Sequence, residues 1–298
     1  MKTIKHIFDG DFGCEERSSD KPMVSVTLVD EIGQEEYVTV EDAWLTKQGL
    51  EVGSQWEIFD IVDDKGYPTG EKVARSKAHE DGIRHRTAHI WVLRENGDKT
   101  EVLLQKRAMN KDSFPGRYDT SSAGHIQAGD EPIESAIREL SEELGINAKP
   151  DELTFAGTFT IQYEKEFHGK MFNDNEIAFV YIYEEDVDID KLSIQKEELD
   201  SVEWFDLEEV YQACQPPRDK KFCVPMDGLE IVRNYVKEGQ KEEAGNLSAN
   251  MSLGMCIGLA VGVALGSATH NMGTYMCMGM TMGMLLGMLS GIVKNKGN

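Results

Sequence analysis

The pattern of apolar and polar positions changes several times along the chain. In "VSVTLVD" (24–30) and "EYVTV" (36–40) the two kinds alternate, as in strands with one covered face, and "EIGQE" between them reads as a turn. "EDAWLTKQGL" (41–50) follows as a short helix, so residues 1–50 predict a small β-rich accessory module, punctuated by "EVGSQW". Next, "AHIWVLRENGDKTEVLLQKR" (88–107) predicts two strands around a turn at Asn96 and Gly97. A loop rich in Gly and Pro leads into a helix, after which "LTFAGTFTIQY" (153–163) and "EIAFVYIY" (176–183) predict further strands ahead of a later helical region. Mixed strands around one strong helix predict an α+β or layered α/β core over residues 51–239. Residues 240–250, polar and containing Gly and Asn, read as a linker.

Beyond the linker the pattern is of another kind. Residues 251–269, "MSLGMCIGLAVGVALGSAT", and 272–293, "MGTYMCMGMTMGMLLGMLSGIV", hold no formal charge, and each is long enough to cross a bilayer. Gly254, Gly258, Gly262 and Gly266 recur every fourth residue, as do Gly279, Gly283, Gly287 and Gly291. On a helix this spacing makes a smooth groove that lets two backbones approach closely. Glycine costs about 1 kcal/mol per residue in a helix in water, which argues against a soluble helix pair. Residues 251–293 thus predict a glycine-zipper transmembrane hairpin. Lys237 and Lys241 before it, and Lys294 and Lys296 after it, place both outer ends in the cytoplasm.

Charge sharpens this division. All 54 acidic residues precede position 249, so the first 248 residues carry a net charge of −25 and the tail +2. So acidic a body lacks the clustered cations needed to hold a nucleic acid polymer. The five cysteines, Cys14, Cys214, Cys223, Cys256 and Cys277, never form a CxxC pair, which fits a reducing compartment. The N-terminal "MKTIKHIFDGDFGCEE" has no apolar run of signal-peptide length, so a membrane-associated protein with a cytoplasmic main domain is expected.

The helix after the loop lies in "AGHIQAGDEPIESAIRELSEELGI" (123–146). Pro132 suits its first turn, Asp130 or Glu131 its cap, and Gly145 its end. Ile133, Ala136, Ile137, Leu140 and Leu144 make one apolar face. At 100° per residue Glu139, Glu142 and Glu143 share one patch beside it. Pairing of Arg138 with Glu134 or Glu142 relieves only about 0.3–0.5 kcal/mol per exposed pair. A solvated acidic face is one reading; a hard divalent cation seated on the carboxylates is the other.

The stretch resembles the Nudix box, G-x5-E-x7-R-E-U-x-E-E-x-G-U with U apolar. Gly124, Arg138, Glu139, Leu140, Glu142, Glu143, Gly145 and Ile146 match, and Asp130 replaces the first glutamate. This resemblance implies a Nudix α/β/α sandwich in which Glu139, Glu142 and Glu143 hold Mg2+ or Mn2+, with the Gly124 carbonyl as an additional ligand and Glu142 or Glu139 as base. The segments "HEDGIRHRTAHIWVL", "LLQKRAMNKDSFPGRYDTSSAGHIQAGD" and "FNDNEIAFVYIY" extend the likeness to the subgroup related to isopentenyl-diphosphate isomerase. There a separate metal is bound by histidines and carboxylates, at positions matched here by His79, His85, His125, Asp174 and Glu176. Ala123, however, stands in the place of the isomerase's catalytic cysteine, and alanine neither gives nor takes a proton.

Lys106, Arg107, Lys111 and Arg117 gather around "PGRYD" and could hold diphosphate oxygens or simply form surface ion pairs. With His85, His125 and Glu176 they are the candidate substrate-binding residues. Trp91, Phe114 and Tyr118 are candidates for a base or prenyl chain, or ordinary packing. The reading is a membrane-tethered, metal-dependent diphosphohydrolase acting on a small nucleoside diphosphate derivative or prenyl diphosphate. Its rivals are a nucleotide-sensing module without catalysis, an isomerase-like enzyme, and a tail that assembles homo-oligomers.

Overall fold

In a computed structural model, residues 2–9, 21–111, 113–167 and 169–295 are described. Cys14 and Lys296 lie outside them. Two compact units divide the chain, Met1–Val232 and Arg233–Asn298.

The first unit opens with β1 (Thr3–Asp9), β2 (Met23–Val29) and β3 (Glu35–Glu41), an antiparallel sheet in that order, and α1 (Asp42–Gln48). Ile4, Val24, Val26, Leu28 and Leu45 are its buried core, the inward half of the alternation read from the sequence. Contacts do not break at residue 50. The Ile4 amide donates to the Ser54 carbonyl at 2.9 Å, and Trp44 Nε1 donates to the Lys72 carbonyl at 3.0 Å. The module is thereby fastened to the next layer, the hairpin of β4 (Ile58–Val62) and β5 (Pro68–Ala74), followed by α2 (Arg75–Asp81).

The main sheet is mixed, in the order β10-β11-β6-β7-β12. Its strands are β6 (His85–Asn96), β7 (Lys99–Arg107), β10 (Leu153–Phe167), β11 (Lys170–Tyr183) and β12 (Leu199–Asp206), with the short β8 (Tyr118–Asp119) and β9 (Ser122–His125) on β7 and β6. β6 and β11 are parallel, and β6 is buried from His85 to Leu93, as expected of a strand covered on both faces. Its Ala88, Ile90 and Val92 face a core closed by Ala136, Leu140 and Leu144 from α3 (Pro132–Glu139) and the turn beyond it. His85, Thr87, His89 and Trp91 face the other way. On that side Gly228, in the first turn of α5 (Met226–Thr269), lies so near Phe159 and Trp91 that a β-carbon would fall 2.9 Å from the Phe159 ring. α4 (Leu207–Cys214) is capped by Asp206, which accepts from the amides of Glu208 and Glu209.

In the second unit, α5 continues and α6 (Met272–Asn295) follows after a two-residue turn. Residues 240–250 are helical instead of forming an open linker, because Gln, Lys, Glu, Ala and Leu outweigh Gly245 in helix propensity. The glycines read as a zipper do bring two backbones together: a β-carbon at Gly258 would overlap the Gly279 carbonyl, and one at Gly254 the Gly283 carbonyl. The side chains left on the outside are mainly apolar, including Leu253, Ile257, Leu286 and Leu289. Both helices are long and apolar enough to cross a membrane.

Candidate active site

The site is built on the two sides of β9. Pairing with β6 sets Thr87 opposite His125, Ala88 opposite Gly124, and His89 opposite Ala123. Alternation then turns Gly124 toward α3 and turns Ala123 and His125 toward the opposite face.

On the α3 side, a β-carbon at Gly124 would overlap the carboxylate of Glu139, so glycine is required for this approach. The helix does not keep the regular 100° step expected of it. After Glu139 it widens into a π turn over Leu140–Leu144, ended by Gly145 in the left-handed conformation at φ 73°. The widened turn sets the three glutamates at different depths, with Glu143 buried, Glu139 half-buried and Glu142 exposed. Burial pushes the Glu143 carboxyl up to about 8, with the Glu139 charge adding to the effect, although the Ala123 amide donates to it at 3.2 Å. Burial also raises Glu139, against the hydrogen bond from Arg138. The i±4 pairs expected of Arg138 do not form. Its guanidinium instead holds Asp130 at 2.9 Å, Glu139 at 3.0 Å and the His125 carbonyl at 3.2 Å, because the loop before α3 folds back within its reach. Neither does Asp130 or Glu131 cap the helix through a side chain; Glu131 is the N-cap residue without such a bond. Asp130 serves through Arg138. The loop is pinned further by buried Asp60 on β4, which accepts from the Gly129 amide at 2.9 Å and from Arg86 at 3.2 Å.

On the opposite side, His79 from α2, His85 from β6, His125 from β9, and Asp174 and Glu176 from β11 converge. Within His79–His85–His125, and within His85–Asp174–Glu176, ligand atoms lie within 4.8 Å of one another; among the described residues these are the two such sets. Glu176 Oε1 is 3.5 Å from His85 Nε2 and 3.4 Å from His125 Nε2, while Asp174 Oδ1 is 3.6 Å from His79 Nδ1. Ligands about 2.1 Å from a shared ion stand roughly 3.0–3.4 Å apart, so these spacings are near the edges of a coordination polyhedron. Three further observations fit a divalent ion. His79 Nδ1, His85 Nε2 and Asp174 Oδ1 are buried without a hydrogen-bond partner. His85 Nδ1 donates to the Ile83 carbonyl at 2.9 Å, which leaves the Nε2 lone pair turned inward. Burial lowers His125 to about 4, against the pull of Glu176, and so keeps it neutral. Glu176 is held well below the usual carboxylate range: burial opposes this, but the nearness of the His125 and His85 rings prevails. Thr87 also donates to its Oε2 at 3.1 Å.

The basic residues are partly engaged. Arg107 pairs with Asp119 at 3.2 Å, Lys111 with Glu198, and the Arg117 guanidinium lies 5.5 Å from the Phe114 ring centre, while Lys106 is half-buried on β7. Trp91 is fully buried and Tyr118 nearly so, in packed positions. Sequence reasoning missed Asp60, Thr87 and Phe59, for which no motif or spacing gives a signal.

Residues 83–223 match the model of the NUDIX domain. The chain is 40% identical over 154 residues to a Nudix hydrolase of Clostridium acetobutylicum, covering 52% of this chain and 72% of that one. The chain belongs to the Nudix hydrolase family. The mixed sheet with α3 on one face and the start of α5 on the other is accordingly a Nudix sandwich. An isopentenyl-diphosphate Delta-isomerase of Dinoroseobacter shibae is 30% identical over 138 residues, covering 46% of this chain and 73% of its own. A crystal structure from Deinococcus radiodurans, DR0079, superposes with a TM-score of 0.44 at 18% identity, covering 60% of this chain and 98% of that one.

Proposed function

We propose that this Nudix protein is a divalent-metal-dependent diphosphohydrolase whose substrate is a small organic diphosphate, a nucleoside diphosphate derivative or a prenyl diphosphate. The observation that carries the reading is the pair of ligand sets lying back to back across β9. On one side Glu139, Glu142 and Glu143, with the Gly124 carbonyl, would hold magnesium or manganese; on the other His79, His85, His125, Asp174 and Glu176 would hold a second ion. Bound there, divalent ions would neutralise diphosphate charge and polarise the phosphorus toward attack.

The chain's own residues do the rest. Exposed Glu142 is placed to take the proton of the attacking water, with Glu139 as the alternative base. Arg138 holds Glu139 against Gly124 and so fixes its direction. Arg107 and Lys111 would exchange Asp119 and Glu198 for phosphate oxygens, with Lys106 and Arg117 beside them, which neutralises the leaving phosphate. The hairpin of α5 and α6 tethers the enzyme to a bilayer on its cytoplasmic face.

A second reading, an isomerase-like enzyme, is favoured by the assembled histidine and carboxylate set. It is opposed by Ala123, which brings no proton donor to that pocket wall. A single assay separates the two: full-length protein in detergent with Mg2+ or Mn2+ and a panel of nucleotide and prenyl diphosphates. Hydrolysis releases inorganic phosphate or a monophosphate pair. Isomerisation conserves the diphosphate and moves the alkene, and binding without either product leaves a sensor.

A further inference from the structure

Phe59 is fully buried on β4, outside the segment that matches the family model, and its ring lies against the histidine set. Its ring stacks on His125 with centroids 4.7 Å apart and planes 7° apart, and on His85 at 4.9 Å and 13°. The two imidazoles are themselves within 19° of parallel. Phe59 is held in turn by Val73 and Ala78, buried residues of β5 and α2, and the same α2 carries His79.

We propose that Phe59 is a positioning residue of the histidine and carboxylate centre, fixing the ring planes of His85 and His125 so that their Nε2 atoms converge on one ion. This inference rests on the second metal site proposed above. Rotation about the terminal bond of histidine is loosely restrained, so something outside the side chain must set each ring plane. For His85 the Ile83 carbonyl shares that task. For His125 the polar neighbours, His79 Nε2 at 3.2 Å and Glu176 Oε1 at 3.4 Å, both meet its Nε2. They fix where that atom points but not the rotation of the ring about it, and the flat face of Phe59 supplies the missing restraint. An imidazole that gives its lone pair to a cation also becomes electron-poor, so it stacks better on the negative face of a benzene ring. Phe59 thus favours the ligated state over the free one.

The test uses the full-length chain and Co2+ as a spectroscopic probe, titrated after chelator treatment and followed by the visible d–d bands. Phe59→Leu keeps the apolar bulk and removes the flat face; Phe59→Met does the same with an unbranched chain, in case leucine disturbs folding. Metal-free thermal melts identify folded variants. Wild type should bind with bands that His125→Asn abolishes, and the Phe59 variants should bind about 10- to 100-fold more weakly with shifted bands. Unchanged affinity and spectrum in a folded Phe59 variant overturn the inference while leaving the second metal site standing. A wild-type spectrum that is absent, or that His125→Asn does not alter, overturns both.

Discussion

Glu143 offers the sharpest test of how the acidic ridge is built. In the metal-free protein its carboxyl is pushed from an ordinary value of 4.5 to about 8, first by burial and then by the Glu139 charge. Between those two pH values the folded chain keeps a proton that the unfolded chain has released, so folding stability falls as pH rises through that interval and is level above it. Each pH unit of difference corresponds to about 1.4 kcal/mol, so the whole interval sets a ceiling on the order of 5 kcal/mol. An effective dielectric above that of a dry interior brings the expected loss to about 2–4 kcal/mol. Glu143→Gln removes the titration and keeps an oxygen that can accept from the Ala123 amide. Urea unfolding in chelator at pH 5 to 9 should therefore show the two proteins diverging, with the glutamine variant gaining steadily on wild type up to about pH 8 and holding a constant lead beyond. Added Mg2+ should restore wild type and leave the variant where it was, since an ion that binds only the folded state stabilises it. Stability curves that run parallel from pH 5 to 9 would refute the assignment of a buried, proton-holding Glu143.

Other expectations follow from the same geometry. Gly124→Ala pushes the Glu139 carboxylate out of its seat, so turnover should drop about 100-fold, as for a misplacement near 1 Å, while the melting temperature barely moves. Glu142→Gln should lower turnover at least about 100-fold with the fold intact, read by phosphate release beside circular dichroism; full activity would remove Glu142 from the role of base. The full-length chain should float with phosphatidylcholine and phosphatidylglycerol vesicles, and a chain ending at residue 245 should stay in the dense fraction. In the hairpin, Gly258→Leu drives a side chain into the Gly279 carbonyl, so spin labels on α5 and α6 should move apart; an unchanged distance would contradict the zipper.

What could be read from the sequence and what could not divide along the range of the forces involved. Alternation in "VSVTLVD" and "EYVTV" and the stripe from Ile133 to Leu144 became β2, β3 and the helix over the core, because burying one face is a local demand visible in the spacing. The glycines at every fourth position of α5 and α6 are likewise a local spacing, and they stand where the two backbones lie close. The π turn was not, since helical periodicity assumes a constant step, and the extra residue answers to Gly145 and the core beneath Leu140. Nor were the partners of Arg138: spacing proposes i±4 neighbours, whereas a loop closed through Asp60 and Gly129 brought Asp130 and the His125 carbonyl within reach. β9 is harder still, because Ser-Ala-Gly-His carries no strand preference and is made a strand only by lying against β6. Yet that weak strand does the dividing: a β-carbon at 124 would overlap the Glu139 carboxylate, so glycine leaves room for the carboxylates on one face, while the next residue, His125, turns to the other face and stacks among the imidazoles there.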